Sequence, residues 1–133
     1  MDVIRRNTDY AMRLVVGLVK NYEKDPISAR QLAKNYDVSY DLACKLLQKL
    51  SSAKLVKSSM GANGGFELAN APEKISLYQV IKAVQGNICL NRCVPDGKSC
   101  PNKPACRISK SLVDLQGYIE EYLKNIMLSE LSK

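Results

Sequence analysis

Four cysteines lie close together in the second half of a chain that contains no histidine. They follow the pattern C-x3-C-x6-C-x5-C and are Cys89, Cys93, Cys100 and Cys106. Structural zinc sites usually contain two tight C-x2–4-C pairs, and only the first pair here is that tight. Iron–sulfur clusters are held by thiolates in several spacings, and the prolines in this segment suit a loop wrapped around a prosthetic group. The spacing therefore favours an iron–sulfur cluster over zinc and leaves its type, [4Fe-4S] or [2Fe-2S], open.

Composition limits the functions that this cysteine segment can serve. The chain has 133 residues and a net charge of +7, which suits one domain or a small domain with an arm, and an anionic partner such as nucleic acid. Neither a signal peptide nor an apolar run of about 18 residues is evident. We therefore expect a cytoplasmic protein, and because cytosolic thiols stay reduced, the cysteines indicate metal or redox chemistry rather than disulfides.

The first half of the chain predicts a helix-turn-helix. Ser28 and Gln31 have the spacing of a capping box, and Ser39 is a favourable N-cap for a longer helix. A short helix, a tight turn and a longer helix are the organisation of that motif. Helices are predicted over residues 8–21, 29–34 and 40–52.

A β-hairpin is predicted directly after this motif. Strands are expected over residues 55–59 and 66–69, with turn residues between them. The Asn63-Gly64 pair is a strong hairpin signal. The longer helix of the motif, over 40–52, is the expected recognition helix, and a hairpin that follows such a helix is called a wing.

The last part of the chain predicts two further helices around the cysteine loop. Ser76 and Gln79 form a second capping box for a helix over 77–85, which ends at Gly86. After loop 87–106, a helix over 107–130 carries a heptad stripe, typical of a homodimer seam. The stripe consists of Leu112, Leu115, Ile119, Tyr122 and Ile126. The expected fold is mainly α with a small β-hairpin: a winged helix-turn-helix domain over 1–72, then the cysteine loop and dimerisation helix over 73–133.

The recognition helix can be phased by its leucines. If Leu42, Leu46 and Leu50 face the core, then Asp41, Cys44, Gln48 and Ser51 lie opposite, with Lys45 and Ser52 on the flank. Glutamine suits adenine, lysine suits guanine or phosphate, and aspartate can accept from cytosine. The candidate DNA-binding residues are Ser28, Ser39, Tyr40, Asp41, Lys45, Gln48, Lys49, Met60, Gly61 and Asn63.

These features together resemble the Rrf family of bacterial winged-helix regulators. The resemblance rests on the opening Asn7-Thr8-Asp9-Tyr10-Ala11, the Gly-x-x-Gly-Gly wing after Met60, and the triplet Cys93, Cys100 and Cys106. It covers nearly the whole chain. It implies that the triplet ligates one iron–sulfur cluster near a dimer interface. Because helix-turn-helix homodimers usually read two half-sites, we expect a double-stranded, palindromic operator.

The fourth ligand differs among branches of this family. Iron–sulfur-assembly regulators use a histidine after the third cysteine, which this chain lacks, whereas nitric-oxide-sensing repressors use an N-terminal aspartate from the other subunit. Asp9 stands at the matching position, and Cys89 is the alternative. The first gap in the triplet is also one residue longer than is common, and Met60 replaces the arginine that assembly regulators carry in the wing.

We therefore expect a DNA-binding regulator, most simply a repressor, that senses redox state or nitric oxide through the cluster. Two other interpretations stay open: a cluster-free or zinc-containing regulator controlled by a protein partner or thiol redox, and an electron carrier or cluster-delivery protein. The basic recognition helix beside a wing argues against a carrier. An enzyme is not expected, because the chain has no histidine, no motif with paired carboxylates and no phosphate-binding glycine loop.

Overall fold

The computed structural model describes residues 3–90 and 107–132 of the chain, which form a mainly helical fold with one antiparallel hairpin. The helices and strands are α1 (Arg6–Lys20), α2 (Ala29–Asn35), α3 (Tyr40–Ser52), β1 (Val56–Ser59), β2 (Gly65–Leu68), α4 (Leu77–Gln85) and α5 (Arg107–Lys124). Short 3₁₀ helices occupy Pro72–Lys74 and Leu128–Ser132. The predicted fold class is confirmed. None of the helices in these two ranges is long and apolar enough to cross a membrane.

Side-chain caps start the helices where the sequence predicts. The capping box of Ser76 and Gln79 is confirmed in both directions at the start of α4. The hydroxyl of Ser28 accepts from the backbone N–H of Gln31 at 3.1 Å. The other hydrogen bond of that predicted box, between the Gln31 side chain and the Ser28 backbone, is wrong. The Gln31 side chain instead donates to Asn35 Oδ1 at 2.8 Å.

The hairpin is tied to the helix-turn-helix. Its strands pair in register from Val56 opposite Leu68 to Ser59 opposite Gly65. Phe66 exchanges backbone hydrogen bonds of 2.8 and 3.1 Å with Ile27, which lies just before α2. Gly65 has a φ of +157°, and a Cβ there would lie only 2.5 Å from the Ile27 carbonyl oxygen. This close approach requires glycine and fixes the wing against the base of α2.

A hydrophobic cluster forms the core of the described residues, and α1 and α3 make the two largest contributions to it. Helix α4 packs on both of them. The largest fully buried side chains in this cluster are Leu14, Leu18, Leu32, Leu46, Leu47, Leu50, Ile75 and Leu128. The core thus takes residues from both sides of position 72, where the sequence predicts a domain boundary.

The last helix ends earlier than the sequence predicts. Helix α5 stops at Lys124, so the expectation that it continues to residue 130 is wrong. The following segment pairs with the start of α4: Leu77 N–H donates to the Ile126 carbonyl at 2.8 Å, and Leu128 N–H donates to the Ile75 carbonyl at 2.9 Å. Leu128 is buried in the core. This non-local pairing uses backbone groups that a longer helix would have bonded internally.

Candidate nucleic-acid interface and cysteine region

The buried face of α3 differs from the one predicted by its leucines. The fully buried residues are Ala43, Leu46, Leu47 and Leu50, while Leu42 is only half-buried. Cys44, expected on the exposed face, is half-buried and packs against the core. The reason is that α3 contacts α1, α2 and α4, so its buried surface is wider than one leucine stripe.

The exposed face of α3 retains the polar residues with base-reading chemistry. Asp41, Lys45 and Gln48 are all exposed along this face. Ser39 is also exposed, and its hydroxyl accepts from the Leu42 N–H at 3.3 Å, so it starts the helix. This row presents a carboxylate, an ammonium and an amide at the spacing of one helical face.

Arg30 is a candidate that the sequence did not indicate. Its guanidinium lies 4.2 Å from the centre of the Tyr40 ring, a cation–π contact that joins α2 to the first turn of α3. The pKa of the Tyr40 hydroxyl is raised. The largest cause is its hydrogen bond with Cys44 and the second is an electrostatic effect of Cys44, while Arg30 opposes the shift. No local spacing predicts this pair, because the turn of the motif brings together residues ten positions apart.

Lys49 contacts the protein itself. Its Nζ donates to the Val84 carbonyl in the last turn of α4 at 3.2 Å. A lysine is favourable there because carbonyls at a helix C-terminus lack internal partners and carry partial negative charge. Lys49 thus joins the recognition helix to α4, and its role as a phosphate contact stays a prediction.

The wing presents its tip to solvent. Met60 is 99% exposed, and Gly61 and Asn63 are exposed beside it. At the base, Lys57 and Glu67 form a cross-strand ion pair at 3.1 Å. An apolar side chain at the tip offers van der Waals contact with a groove but no charge-assisted bond.

Gln85 fixes the start of α1 to the end of α4. Its Oε1 accepts from the Arg5 N–H at 2.9 Å and from the Thr8 hydroxyl at 2.7 Å. Its Nε2 donates to the Val3 carbonyl at 2.9 Å. Thr8 is fully buried, so its hydroxyl depends on this acceptor. We call Val84 and Gln85 the α4 junction, because α3 and α1 are both bonded to it.

The structure places the two candidates for a fourth cluster ligand, while Cys93, Cys100 and Cys106 lie outside the described residues. Asp9 is exposed in the first turn of α1 and pairs with Arg13 at 3.3 Å. Cys89 is half-buried, and its thiol donates to the Asn87 carbonyl oxygen, with Sγ 3.6 Å from that oxygen. Within residues 3–90 and 107–132, no three metal-binding side chains come together.

Helix α5 carries an apolar outer face. Of the predicted seam, Leu115 and Tyr122 are exposed, whereas Leu112, Ile119 and Ile126 are half-buried. The helix contacts α4, which accounts for a covered side. Ile108 and Tyr118, which the heptad assignment omitted, are 66% and 76% exposed. Positions 108, 115, 118 and 122 share one face of the helix.

A short helix, a tight turn and a longer helix followed by a hairpin define a winged helix-turn-helix protein. The chain belongs to the Rrf2 family, described as iron-dependent transcriptional regulators, whose model matches residues 4–133. It is therefore a transcriptional regulator of this family and not an enzyme.

Individual relatives agree with this assignment. The chain is 33% identical over 132 residues to the HTH-type transcriptional regulator NsrR of Shouchella clausii (strain KSM-K16), covering 92% of this chain and 87% of that protein. Its structure is similar to CymR, the global cysteine regulator of B. subtilis, with a TM-score of 0.82, 25% identity and coverage of 99% and 97%. IscR of T. potens shares the fold, with a TM-score of 0.76, 24% identity and coverage of 96% and 84%.

Proposed function

We propose that this regulator is a cytoplasmic homodimer that binds a palindromic DNA operator, and that an iron–sulfur cluster controls this binding. The observation that carries the DNA-binding part is the exposed polar face of α3 beside an anchored wing. The family's iron dependence and the cysteine triplet support the cluster. Repression is the simplest mode, because a dimer bound over a promoter would block access to it.

The outer face of α5 supports the dimer. Ile108, Leu115, Tyr118 and Tyr122 are between 48% and 76% exposed. Contiguous apolar surface of this kind is rarely left in water. Pairing of two such helices would place two copies of α3 at a fixed separation, which is how dimeric helix-turn-helix proteins recognise two half-sites.

The donor chemistry fits an iron–sulfur cluster. Three thiolates from Cys93, Cys100 and Cys106 would hold it, and Asp9 of the second protomer would complete the set. Among residues 3–90 and 107–132, the exposed Asp9 carboxylate is paired with Arg13, which leaves it accessible to another subunit. When bound, such a cluster would supply an iron that has one hard oxygen ligand and is therefore more reactive towards small molecules than an iron held by thiolates alone. Cys89 is the alternative fourth ligand.

The chain's own contacts provide a route from the cysteine loop to DNA. The predicted loop starts at residue 87, shortly after the α4 junction, and Leu90 N–H donates to Gln116 Oε1 of α5 at 3.3 Å. A rearrangement of the loop would therefore displace both the junction and α5. Lys49 transmits the first displacement to α3, and the α5 pairing transmits the second to the partner protomer. The result is a bias between two arrangements of the dimer.

A cluster-free or zinc-containing regulator is the second candidate, with thiol redox or a protein partner as the signal. The observation that favours it is the similarity to CymR, a cysteine regulator. The two candidates differ in metal content.

Iron and acid-labile sulfide analysis of anaerobically purified protein tests the proposal. We expect both elements, a visible absorption band, and loss of all three signals when Cys93, Cys100 and Cys106 are replaced by serine. Cys44→Ser is the matched control, since Cys44 packs against the core of the DNA-binding half. Colourless protein without iron after anaerobic reconstitution would exclude the cluster, and stoichiometric zinc would favour the second candidate.

A further inference from the structure

A group of three cations lies where α1 begins. Arg5 and Arg6 are exposed, and with Lys49 they line a groove of about 310 Å³. We call these three residues the N-terminal basic patch. The sequence-based set of DNA-binding residues contained neither arginine.

The two arginines have no acidic partner within the described residues. The ion pairs found there join Arg13 to Asp9 and Lys57 to Glu67. Arg5 is the N-cap of α1 and Arg6 is its first residue, the end of a helix where positive charge is unfavourable. Two cations at this position reduce helix stability, which makes an external anion the natural counterpart.

The patch is held in place. Arg5 N–H is bonded to Gln85, so the backbone that carries both arginines is fixed to α4. Arg6 Nε donates to the Tyr10 hydroxyl at 3.1 Å, and the Arg6 guanidinium lies 5.8 Å from that ring. Ordering of this kind lowers the entropic cost of binding an anion.

The patch is also continuous with the base-reading face of α3. Lys49 lines the patch groove and also a second, shallow groove that includes Lys45 and Gln48. An unbroken surface therefore runs from the polar face of α3 to the start of α1. A duplex that binds α3 would therefore lie next to this patch.

We propose that Arg5 and Arg6 bind backbone phosphates of the operator beside the bases contacted by α3. This inference rests on the proposed function, since it needs α3 to bind DNA. Contacts of this type fix the position of a protein on the duplex and carry no sequence information themselves. Their signature is therefore electrostatic and independent of base sequence.

The test measures binding affinity against salt concentration with two duplexes. One is selected by the wild-type protein from a random pool, and the other is a scrambled version of it. Each phosphate contact contributes about 0.9 to the slope of log affinity against log salt. The double variant R5Q/R6Q should lower the slope by roughly 1.8 per protomer on both duplexes and leave the preference between them unchanged.

Two further variants control this experiment. K20Q/K24Q removes the same charge at and just after the far end of α1 and should leave the slope unchanged. R5K/R6K keeps the charge and should restore most of the slope. If R5Q/R6Q shows the same slope as K20Q/K24Q while its own circular dichroism spectrum is native, the proposal is refuted. Failure of the wild type to select any duplex would instead refute the proposed function, and this inference with it.

Discussion

Gln85→Ala should destabilise the fold more than the replacement of an exposed glutamine elsewhere in a helix. The side chain makes three hydrogen bonds, to Arg5, Thr8 and Val3, at 2.7–2.9 Å. Each contributes about 1 kcal/mol net, and the fully buried Thr8 hydroxyl would lose its acceptor. Better helix propensity and recovered side-chain entropy offset about 1 kcal/mol. We expect a net loss of about 2–3 kcal/mol, which lowers Tm by roughly 8–12 °C.

Urea unfolding of the cluster-free protein, followed by circular dichroism, measures this loss. Gln31→Ala is the matched control, because Gln31 is an exposed helical glutamine whose side chain makes one bond, to Asn35. It should change stability by less than about 0.5 kcal/mol. A double-mutant cycle of Thr8→Val with Gln85→Ala should show a coupling of about 1 kcal/mol. If Gln85→Ala behaves like the control, the anchoring of α1 to α4 is refuted.

Three more substitutions test other parts of the structure. Gly17→Ala should lower the free energy of unfolding by about 1–3 kcal/mol in urea, because its Cβ would lie within 3 Å of atoms of α2 and Tyr36. This loss is expected although alanine favours helices. Equal or higher stability would contradict the packing of α1 on α2. Lys45→Ala combined with Gln48→Ala should weaken binding to the selected duplex by about 2–5 kcal/mol in fluorescence anisotropy, and unchanged affinity would exclude this face of α3. Asp9→Ala should lower iron retention during anaerobic gel filtration while Cys89→Ala does not, and the reverse would make Cys89 the fourth ligand.

Local signals in the sequence account for most element boundaries. Ser28, Ser39 and Ser76 each accept a backbone N–H in the first turn of a helix, and the three helices begin where these residues predict. The hairpin follows from its Asn-Gly turn. Such features depend on residues three or four apart, which is why one sequence suffices to find them.

Features that depend on distant residues were missed or misplaced. The end of α5 is set by pairing of residues 126–128 with 75–77, which no local pattern contains. The buried face of α3 is set by three neighbouring helices and not by its leucines alone. Arg30, Gln85 and the N-terminal arginines became candidates only when the fold placed them beside Tyr40, α1 and Lys49.

The measurement that tests the central proposal most directly compares the DNA affinity of one anaerobic preparation in two states. The protein is assayed first with its iron and sulfide bound and again after a chelator has removed them. The selected duplex and a scrambled duplex are titrated under identical salt conditions. A cluster that controls the dimer predicts at least a tenfold difference in affinity for the selected duplex, a coupling of about 1.4 kcal/mol. Equal affinity in the two states, with the cluster verified by analysis, would contradict control of DNA binding by the cluster.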